Sequence, residues 1–431
     1  IAVWQAKMFA CCIKNCIFSY ISIIMKNRIF TLQFVLLACF AMWLSACAGD
    51  STNAGQAPAG SHIQPDTMLI PAAYRTAEYF PALQGKKLGL VVNHTALVGQ
   101  VHLVDTLVRA GLDVGKIFTP EHGFTGNHAA GEHVDNSDLD SIPVVSLYGK
   151  NKVPAKADLM GLDMLVFDMQ DVGARFYTYI STLHYVMQAC ASYDVPLLVL
   201  DRPNPNGWYV DGPVLDTVCC QSFVGMHPIP VVHGLTLGEL ACMINGEGWH
   251  HPQKKCKLEV VRVKNYHHGR RYDLPVPPSP NLPNARAVAL YPALCFFEAT
   301  PVSIGRGTPF PFQVVGYPKP AYGDFQFTPR PAPGKAPHPK QNGKLCYGLD
   351  LRPDTIPSKF NLHFFYDFYK KWDETEDFFS SPRWFRLLSG NTQLIEQIRG
   401  GDDIPSIRES WQPGLEKYMA LRRQYLLYPD F

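Results

Sequence analysis

Acidic, amide and basic side chains follow several short apolar runs in the middle of the chain. These polar residues are Asn93, His94, Glu121, His122, Asp168, Asp171, Asp201 and Arg202. Carboxylates can serve as general acids, general bases or nucleophiles, and amides and arginines bind hydroxyl or carboxylate groups. One such residue alone could be a turn or a helix cap. Because several strand ends carry them together, the pattern predicts a binding or catalytic site.

The stretch from Phe167 to Tyr179 has the highest density of such groups. It combines aromatic residues with Asp168, Gln170, Asp171, Arg175 and Tyr177. This composition is typical of a saccharide site, because rings stack on the C–H faces of sugars while amides and carboxylates bind hydroxyls. Arg175 could bind a substrate carboxylate through two hydrogen bonds, or it could pair with Asp168 or Asp171 and hold the turn.

Other segments add further candidates, each with a structural alternative. Glu121 lies on a loop beside aromatic residues, where a carboxyl suits a general acid but could also form a loop salt bridge. Asn204 lies in a proline-rich turn after Arg202 and could bind a ligand or only shape that turn. Glu298 and Arg306 supply another carboxylate and another guanidinium, or a structural ion pair.

The elements that must position these residues alternate between short apolar runs and helical patterns. Strands are predicted at 87–92, 116–119, 143–146, 163–168, 196–201 and 258–263, and helices at 102–111, 177–193 and from Thr236 onward. This alternation predicts an α/β fold with a doubly wound, mostly parallel sheet. Ligands bind such sheets at the carboxyl ends of the strands, so the polar residues should meet at one rim.

Aromatic-rich helices are predicted in the last part of the chain, at 360–371, 393–399 and 414–425. Two proline-rich segments precede them. Residues 274–283 are expected to link two domains or to form a wall of a cleft, and residues 329–343 are expected to be a surface loop.

Composition and motif searches exclude several classes of protein. The chain has 431 residues, 47% of them hydrophobic, and a formal net charge of +2. It is too apolar for a disordered tail and too weakly charged for a nucleic-acid binder that relies on a large basic field. It contains no dinucleotide-binding glycine motif after a strand, no phosphate-binding P-loop and no serine-hydrolase elbow. We therefore expect no cofactor and no nucleic-acid partner.

A small group of histidines leaves one alternative open. His122, His128, His133 and Asp135 could bind a metal ion, although loop histidines are more often exposed or hydrogen-bonded. Our main interpretation assigns no metal site.

The N-terminal residues have the pattern of an export signal rather than of a folded domain. A basic segment at 25–28 precedes an apolar run at 29–43 and the sequence Leu-Ser-Ala-Cys, which ends at Cys47. This resembles a lipoprotein signal peptide over 25–46, in which Cys47 is lipidated. We expect residues 1–24 to be a non-native upstream extension and residues 47–65 to be a flexible tether. The predicted location is the bacterial envelope, lipid-anchored in the outer membrane and facing the periplasm.

Cysteine usage is uninformative about a metal framework. Seven cysteines follow Cys47, and no two of them have the Cys-x-x-Cys spacing of a zinc site. One or two disulfides are possible in an oxidising compartment, but small buried thiols are the simpler expectation.

An ordered series of motifs resembles a known family, the exo-lytic β-N-acetylmuramidases of peptidoglycan recycling. The matching segments are 92–95, 120–123, 131–135, 144–149, 167–183, 200–207, 228–234, 277–283 and 291–308. The resemblance implies removal of terminal N-acetylmuramic acid from the non-reducing end of peptidoglycan fragments. It also implies a Rossmann-like catalytic domain over 66–283, with a smaller C-terminal α/β or α+β domain over 284–431 that completes the cleft.

The resemblance also implies roles for individual residues. Glu121 is expected to be the general acid and Asp168 the second carboxylate, with Glu132 and Asp171 as rivals; the route could be retaining, inverting or substrate-assisted. Arg175, Arg202 and Arg306 are candidates for binding the lactyl carboxylate of the sugar. The full set of expected substrate-binding residues is Asn93, His94, His122, Glu132, Gln170, Asp171, Arg175, Tyr177, Asp201, Arg202, Asn204, Glu298 and Arg306.

Two other functions remain open at this point. One is a non-catalytic lipoprotein that binds muropeptides, and the other is a metal-dependent hydrolase built on the histidine group.

Overall fold

The computed structural model describes residues 68–121, 123–126, 137–139, 142–353, 355–356 and 358–431. The predicted leader, the tether and the lipidated Cys47 lie outside these residues. Glu132 and all four members of the histidine group also lie outside them. The described residues belong to one compact unit. None of its helices is long and apolar enough to span a bilayer.

The strands and helices are as follows. The strands are β1 (Lys87–Val92), β2 (Leu97–Val98), β3 (Val101–His102), β4 (Asp113–Thr119), β5 (Ser137–Leu139), β6 (Ile142–Ser146), β7 (Met164–Asp168), β8 (Leu197–Leu200), β9 (Asp211–Val214), β10 (Pro230–Val232), β11 (Leu258–Val261), β12 (Val314–Tyr317), β13 (Phe325–Phe327) and β14 (Cys346–Asp350). The helices are α1 (Thr76–Leu83), α2 (Leu103–Arg109), α3 (Lys156–Leu159), α4 (Tyr179–Tyr193), α5 (Thr217–Cys220), α6 (Leu237–Glu247), α7 (Ala285–Leu294), α8 (His363–Lys370), α9 (Pro382–Ser389), α10 (Gln393–Gly400), α11 (Ile404–Ser410) and α12 (Gln412–Arg422).

A seven-stranded sheet in the order β11-β8-β7-β1-β4-β6-β5 forms the centre of the fold. Every neighbouring pair is parallel except β5 with β6, which is antiparallel. The chain runs outward from β1 to one side through β4 and β6, and then to the other side through β7, β8 and β11. The predicted doubly wound, mostly parallel α/β sheet is therefore confirmed.

Side chains from alternate positions of these strands enter two different cores, as the two faces of a sheet require. Leu88, Leu90 and Val166 pack with α2 on one face, whereas Leu165 and Phe167 pack with α4 and α6 on the other. Helices therefore cover both faces. Because both faces are buried, the strands are continuous apolar runs, which is why the sequence predicted them so closely.

Helix α6 begins where its capping pattern predicted. The side chain of Thr236 accepts a hydrogen bond from the backbone N–H of Glu239, and the Glu239 carboxylate accepts one from the backbone N–H of Thr236. This reciprocal arrangement satisfies two backbone donors that the first helical turn would otherwise leave unpaired.

The C-terminal part combines a three-stranded antiparallel sheet, β12-β14-β13, with helices α8 to α12. The sequence did not predict these strands, because each is short and lacks a clear alternation. Phe296, Phe365 and Phe385 pack among each other and continue the core that lies under α4. The expected smaller C-terminal part of mixed α and β structure is present.

Cysteine pairing is local where the structure describes it. Cys219 forms a disulfide with its neighbour Cys220, while Cys190, Cys242, Cys256, Cys295 and Cys346 are thiols.

Candidate active site

Glu121 follows the carboxyl end of β4 and is held there by two hydroxyl groups. Tyr148 donates a hydrogen bond from its hydroxyl to Oε1 at 2.9 Å, and Thr178 donates from Oγ1 to Oε2 at 3.0 Å. Tyr148 lies just beyond β6, and Thr178 immediately precedes α4. Loops from neighbouring parts of the sheet therefore fix the orientation of this carboxylate.

The Glu121 side chain borders two adjoining cavities. The larger has a volume of about 500 Å³ and the smaller about 70 Å³. Five residues line both: Glu121, Phe176, Thr178, Tyr291 and Arg306. The larger volume lies in the range typical of small-molecule sites, so Glu121 lies at a cavity that can hold a sugar.

Glu298 and Arg306 form a second charged group at the larger cavity. Arg306 donates from Nε to Glu298 Oε1 at 2.7 Å, and the two side chains are 25% and 21% exposed. Burial alone would raise the pKa of Glu298, but Arg306 and Lys340 hold that pKa below its usual value. Glu298 is therefore anionic, and the remaining guanidinium nitrogens of Arg306 make no hydrogen bond to a described residue.

Lys340 binds the backbone on both sides of Glu298. Its ammonium donates to the carbonyl oxygens of Phe297, Glu298 and Thr300 at 2.8, 2.9 and 2.5 Å, and burial lowers its pKa. The loop at 329–343, which was predicted as a surface loop, thus also fastens the backbone that carries Glu298. It lines a third cavity of about 300 Å³, which Arg306 shares.

The proline-rich segment at 274–283 forms a wall of this region. Ser279, Asn281 and Leu282 line the smaller cavity. Asn281 donates from Nδ2 to the carbonyl oxygen of Lys335 at 2.7 Å, which joins this wall to the 329–343 loop. Of the two interpretations of this segment, the cleft wall matches the observed position.

Comparisons with known proteins identify the family of this chain. Residues 88–286 match the model of the N-terminal domain of exo-β-N-acetylmuramidase NamZ, and residues 289–428 match that of its C-terminal domain. The peptidoglycan β-N-acetylmuramidase NamZ of Bacillus subtilis is 33% identical over 429 residues, which cover 94% of this chain and 100% of that protein.

The chain belongs to the exo-β-N-acetylmuramidase family.

Two solved structures from Bacteroides fragilis, both of DUF1343 family proteins, have the same fold. One is 43% identical with a TM-score of 0.77, and the other is 25% identical with a TM-score of 0.70. Each comparison covers 84% of this chain and 100% of the other chain.

Not every residue that we expected at the muramidase site lies at these cavities. Of the expected residues that the structure describes, Glu121, Tyr177, Glu298 and Arg306 line at least one of the three cavities described above. His94 lines a further cavity of about 410 Å³ together with Pro277 and Ser279, and Ser279 also lines the small cavity.

Asp168 and Arg202 form a buried ion pair instead of lining a described cavity. Arg202 donates from Nε and Nη2 to the two oxygens of Asp168 at 2.5 and 2.8 Å, and the two side chains are 2% and 0% exposed. Although burial alone would lower the pKa of Arg202, Asp168 raises it. The expected catalytic role of Asp168 and the expected ligand role of Arg202 remain predictions.

Arg175 is buried and bound to backbone oxygens. It donates from Nη1 to the carbonyls of Pro213 and Ile229 at 2.8 and 3.0 Å, and from Nη2 to that of Leu388 at 2.7 Å. Burial lowers its pKa to about 9. It makes no hydrogen bond to Asp168 or Asp171, so the ion pair that we considered as its structural role is wrong. Its contacts instead join β9 and the β10 region to α9.

Asp201 and Asn204 also have protein partners. Asp201 accepts hydrogen bonds from Tyr428 at 2.5 Å, Thr236 at 2.7 Å and the backbone of Gly238 at 2.8 Å, and burial raises its pKa to about 6. Asn204 donates to the carbonyl of Leu235 at 2.8 Å. These contacts fasten the rim to α6 and to the C-terminal end.

Asn93, Gln170 and Asp171 form a buried layer next to the small cavity. Asn93 donates to the hydroxyl of Tyr179 at 2.7 Å, and Gln170 donates to the carbonyl oxygens of Asp171 and Pro203. Asp171 accepts a hydrogen bond from the backbone of Gly173 at 2.7 Å. The contacts of Gln170 and Asp171 order the backbone that follows β7, and the contact of Asn93 fixes the ring of Tyr179, which lines the small cavity.

Residues that the sequence analysis did not select also line the larger cavity. They are Tyr148, Phe176, Thr178, Ser222, Phe223, Val224, Tyr291, Cys295, Trp384 and Leu388. Tyr148 lies two residues beyond a predicted strand, and the same strand-end rule could have found it. Trp384 carries no such signal, because only folding brings α9 to the rim of the sheet.

Proposed function

We propose that this protein releases terminal N-acetylmuramic acid from the non-reducing end of peptidoglycan fragments, with Glu121 as the general acid. The observation that carries this proposal is the Glu121 carboxyl at the border of the large cavity, held by Tyr148 and Thr178 and facing the same space as Arg306. Family membership supplies the substrate class, and the cavity supplies the groups that the reaction needs.

The role of Glu121 follows from the chemistry of a glycosidic bond. Cleavage passes through a state with positive charge on the sugar ring, and the departing oxygen needs a proton. A carboxylic acid at the edge of a cavity can deliver that proton. The hydrogen bonds from Tyr148 and Thr178 orient the Glu121 side chain. This orientation lowers the entropy cost of reaching the geometry for proton transfer.

Arg306 is the best placed of the three arginines to bind the lactyl carboxylate. Arg175 donates its hydrogen bonds to backbone oxygens, and Arg202 donates to Asp168. Arg306 donates only its Nε–H to Glu298 and lines all three adjoining cavities. A guanidinium binds a carboxylate through two parallel hydrogen bonds. Glu298 would then keep Arg306 in place and partly balance its charge before the substrate arrives.

The second catalytic group is a separate part of the proposal. Asp168 was our first choice, but it already binds Arg202 in the interior. Glu298 lies at the cavity but is bound to Arg306, and Glu132 lies outside the described residues. Attack by the substrate's own acetamido group needs no second free carboxylate, and we favour it for that reason. It predicts that the β configuration is retained in the first product, which proton NMR can observe directly.

Exo action is supported by the wall beside the small cavity. The segment at 277–283 and the loop at 329–343 are joined through Asn281 and Lys335. We propose that this wall closes the site beyond the terminal sugar, so that a longer chain cannot continue past it.

We also propose that the domains follow the boundaries inferred from the sequence, 66–283 and 284–431.

We further propose that Cys47 carries a lipid. The basic, apolar and Leu-Ser-Ala-Cys pattern supports the anchor, which would hold the enzyme at the outer membrane facing the periplasm. Incorporation of labelled palmitate into the wild type but not into Cys47→Ser tests it.

The decisive experiment uses a β-linked N-acetylmuramyl disaccharide. Incubation with the purified protein should release free N-acetylmuramic acid, identified by mass spectrometry. Binding without turnover would favour the non-catalytic alternative. A parallel incubation with a chelator should leave the rate unchanged, and loss of activity there would favour the metal-dependent alternative.

A further inference from the structure

One part of the larger cavity is lined by residues that the smaller cavity does not share. Five residues, including Glu121 and Arg306, line both cavities and therefore lie at their junction. Beyond that junction the lining includes Phe223, Val224, Trp384 and Leu388. The larger cavity therefore combines the charged groups of Arg306 and Glu298 with the rings of Phe223 and Trp384, and of these four only Arg306 also lines the smaller cavity.

Trp384 is a half-buried residue of α9 whose polar edge is unused. Its indole N–H makes no hydrogen bond to a described residue, and its ring stacks on no other described aromatic ring. Trp372, in the same part of the chain, differs on both points: it donates to the carbonyl of Glu376 at 2.7 Å and its ring lies 5.0 Å from that of Tyr317. Because Trp384 lines the cavity and no described residue engages its ring or its N–H, both groups are available to a ligand.

Phe223 provides a second aromatic ring that lines the larger cavity, and contacts with neighbouring residues hold this ring in place. Its ring stacks on that of Tyr185 at 6.2 Å and 12°, and Ser181 donates a hydrogen bond to its carbonyl oxygen at 2.7 Å. The ammonium of Lys152 lies 4.8 Å from the ring centre. This ring is therefore held in place before any ligand binds, which lowers the entropy cost of stacking.

We propose that Phe223 and Trp384 form the subsite for the sugar on the leaving side of the cleaved bond, a β-linked N-acetylhexosamine. The inference rests on the proposed muramidase function. If Arg306 binds the muramyl sugar and Glu121 protonates the oxygen between the two sugars, the leaving sugar extends from the shared junction into the part of the larger cavity that Phe223 and Trp384 line. A pyranose offers a C–H face to the Trp384 ring, and its acetamido carbonyl can accept the indole N–H.

The experiment separates the two subsites by comparing substrate affinity with product affinity. Trp384→Leu keeps an apolar side chain but removes the ring, and Trp384→Phe keeps a ring. The matched control is Trp372→Leu, which removes a tryptophan that does not line this cavity. For each variant we would measure kcat and KM on the muramyl disaccharide, and the inhibition constant of free N-acetylmuramic acid.

We expect Trp384→Leu to raise KM for the disaccharide about five- to tenfold, which is the size of one lost ring contact. The inhibition constant of N-acetylmuramic acid should stay within about twofold, and Trp384→Phe should recover most of the loss. Phe223→Leu should raise KM in the same direction, and Trp372→Leu should leave it unchanged.

Two results would overturn the inference. One is an unchanged KM in a folded Trp384→Leu protein, and the other is a weakened inhibition by N-acetylmuramic acid, which would place Trp384 at the muramyl sugar. Either leaves the proposed function intact as long as the wild type releases N-acetylmuramic acid. If Trp384→Leu does not fold, judged by circular dichroism, Phe223→Leu decides by the same measurements.

Discussion

Arg202 binds both carboxylate oxygens of Asp168 at the centre of the sheet's carboxyl edge, where neither side chain is more than 2% exposed. Asp168 is the last residue of β7, and Arg202 follows the neighbouring strand β8. Both were expected to touch substrate, yet each is the other's partner. A buried charge that loses its partner is costly, so this pair yields a prediction about stability.

Asp168→Asn should destabilise the protein by about 3–5 kcal/mol, because it leaves the Arg202 guanidinium buried without a negatively charged partner. Denaturant unfolding measures the loss. The double change Asp168→Leu with Arg202→Met should recover part of it. If folded Asp168→Asn loses far more kcat than folded Arg202→Met, Asp168 acts on the substrate in addition to its structural role.

Glu121→Gln should reduce kcat on a muramyl glycoside by about 10²–10⁴-fold while the protein still folds, since the amide keeps the shape but cannot donate the proton. Glu78→Gln, at an exposed position on α1, serves as the control for a lost surface carboxylate. Steady-state kinetics and circular dichroism give both readouts. Turnover close to that of the wild type would refute the acid assignment.

Arg306→Lys should reduce the preference for muramyl over glucosaminyl substrates, because an ammonium cannot form the two parallel hydrogen bonds of a guanidinium. We expect kcat/KM on an aryl N-acetylmuramide to fall about tenfold or more, and that on the matching N-acetylglucosaminide to change little. The ratio of the two values is the measurement. Equal losses on both substrates would show that Arg306 does not recognise the lactyl carboxylate.

Gly390→Ala should destabilise the protein more than Gly401→Ala. Both glycines end a helix with positive φ, +82° and +80°, so both variants carry the same backbone strain. A Cβ at Gly390 would lie 2.6 Å from Nη2 of Arg175, whereas one at Gly401 meets no atom within 4 Å. We expect a further loss of about 1–3 kcal/mol at Gly390 from this overlap, measured by thermal or denaturant unfolding.

Acidification should destabilise the fold through His184. Burial lowers its pKa to about 4, and its Nδ1 lies 2.9 Å from Nε2 of His227, whose pKa burial also lowers. In the unfolded chain His184 binds a proton below about pH 6.5, while the folded protein resists this until about pH 4. The free energy of unfolding should therefore fall as pH decreases through that window, by about 3 kcal/mol for this group.

His184→Gln should flatten that part of the stability curve, measured by denaturant unfolding between pH 7 and pH 4. His363→Gln, at an exposed position on α8, is the control and should leave the slope unchanged. An unaltered slope in His184→Gln would mean that other groups carry the acid sensitivity.

Local sequence patterns were sufficient to predict the sheet and one residue at its rim. Buried parallel strands such as β1 and β7 are continuous apolar runs, and an α/β sheet places ligands at the ends of its strands. Glu121 is therefore recognisable from the sequence, and the ordered motifs indicate the family. The capping residues of α6 were equally readable, because a cap depends on residues three positions apart.

Which of the strand-end residues face the cavity depends on long-range packing. Asp168, Arg175 and Asp201 lie at or beyond strand ends, as Glu121 does. Their hydrogen bonds, however, involve buried partners that are far away in the sequence. The partner is Arg202 for Asp168, Leu388 for Arg175 and Tyr428 for Asp201. Trp384 reaches the cavity from a helix more than 200 residues after Glu121. A local sequence pattern predicts that a residue lies at a strand end. Its hydrogen-bond partner depends on long-range packing, which local spacing does not encode.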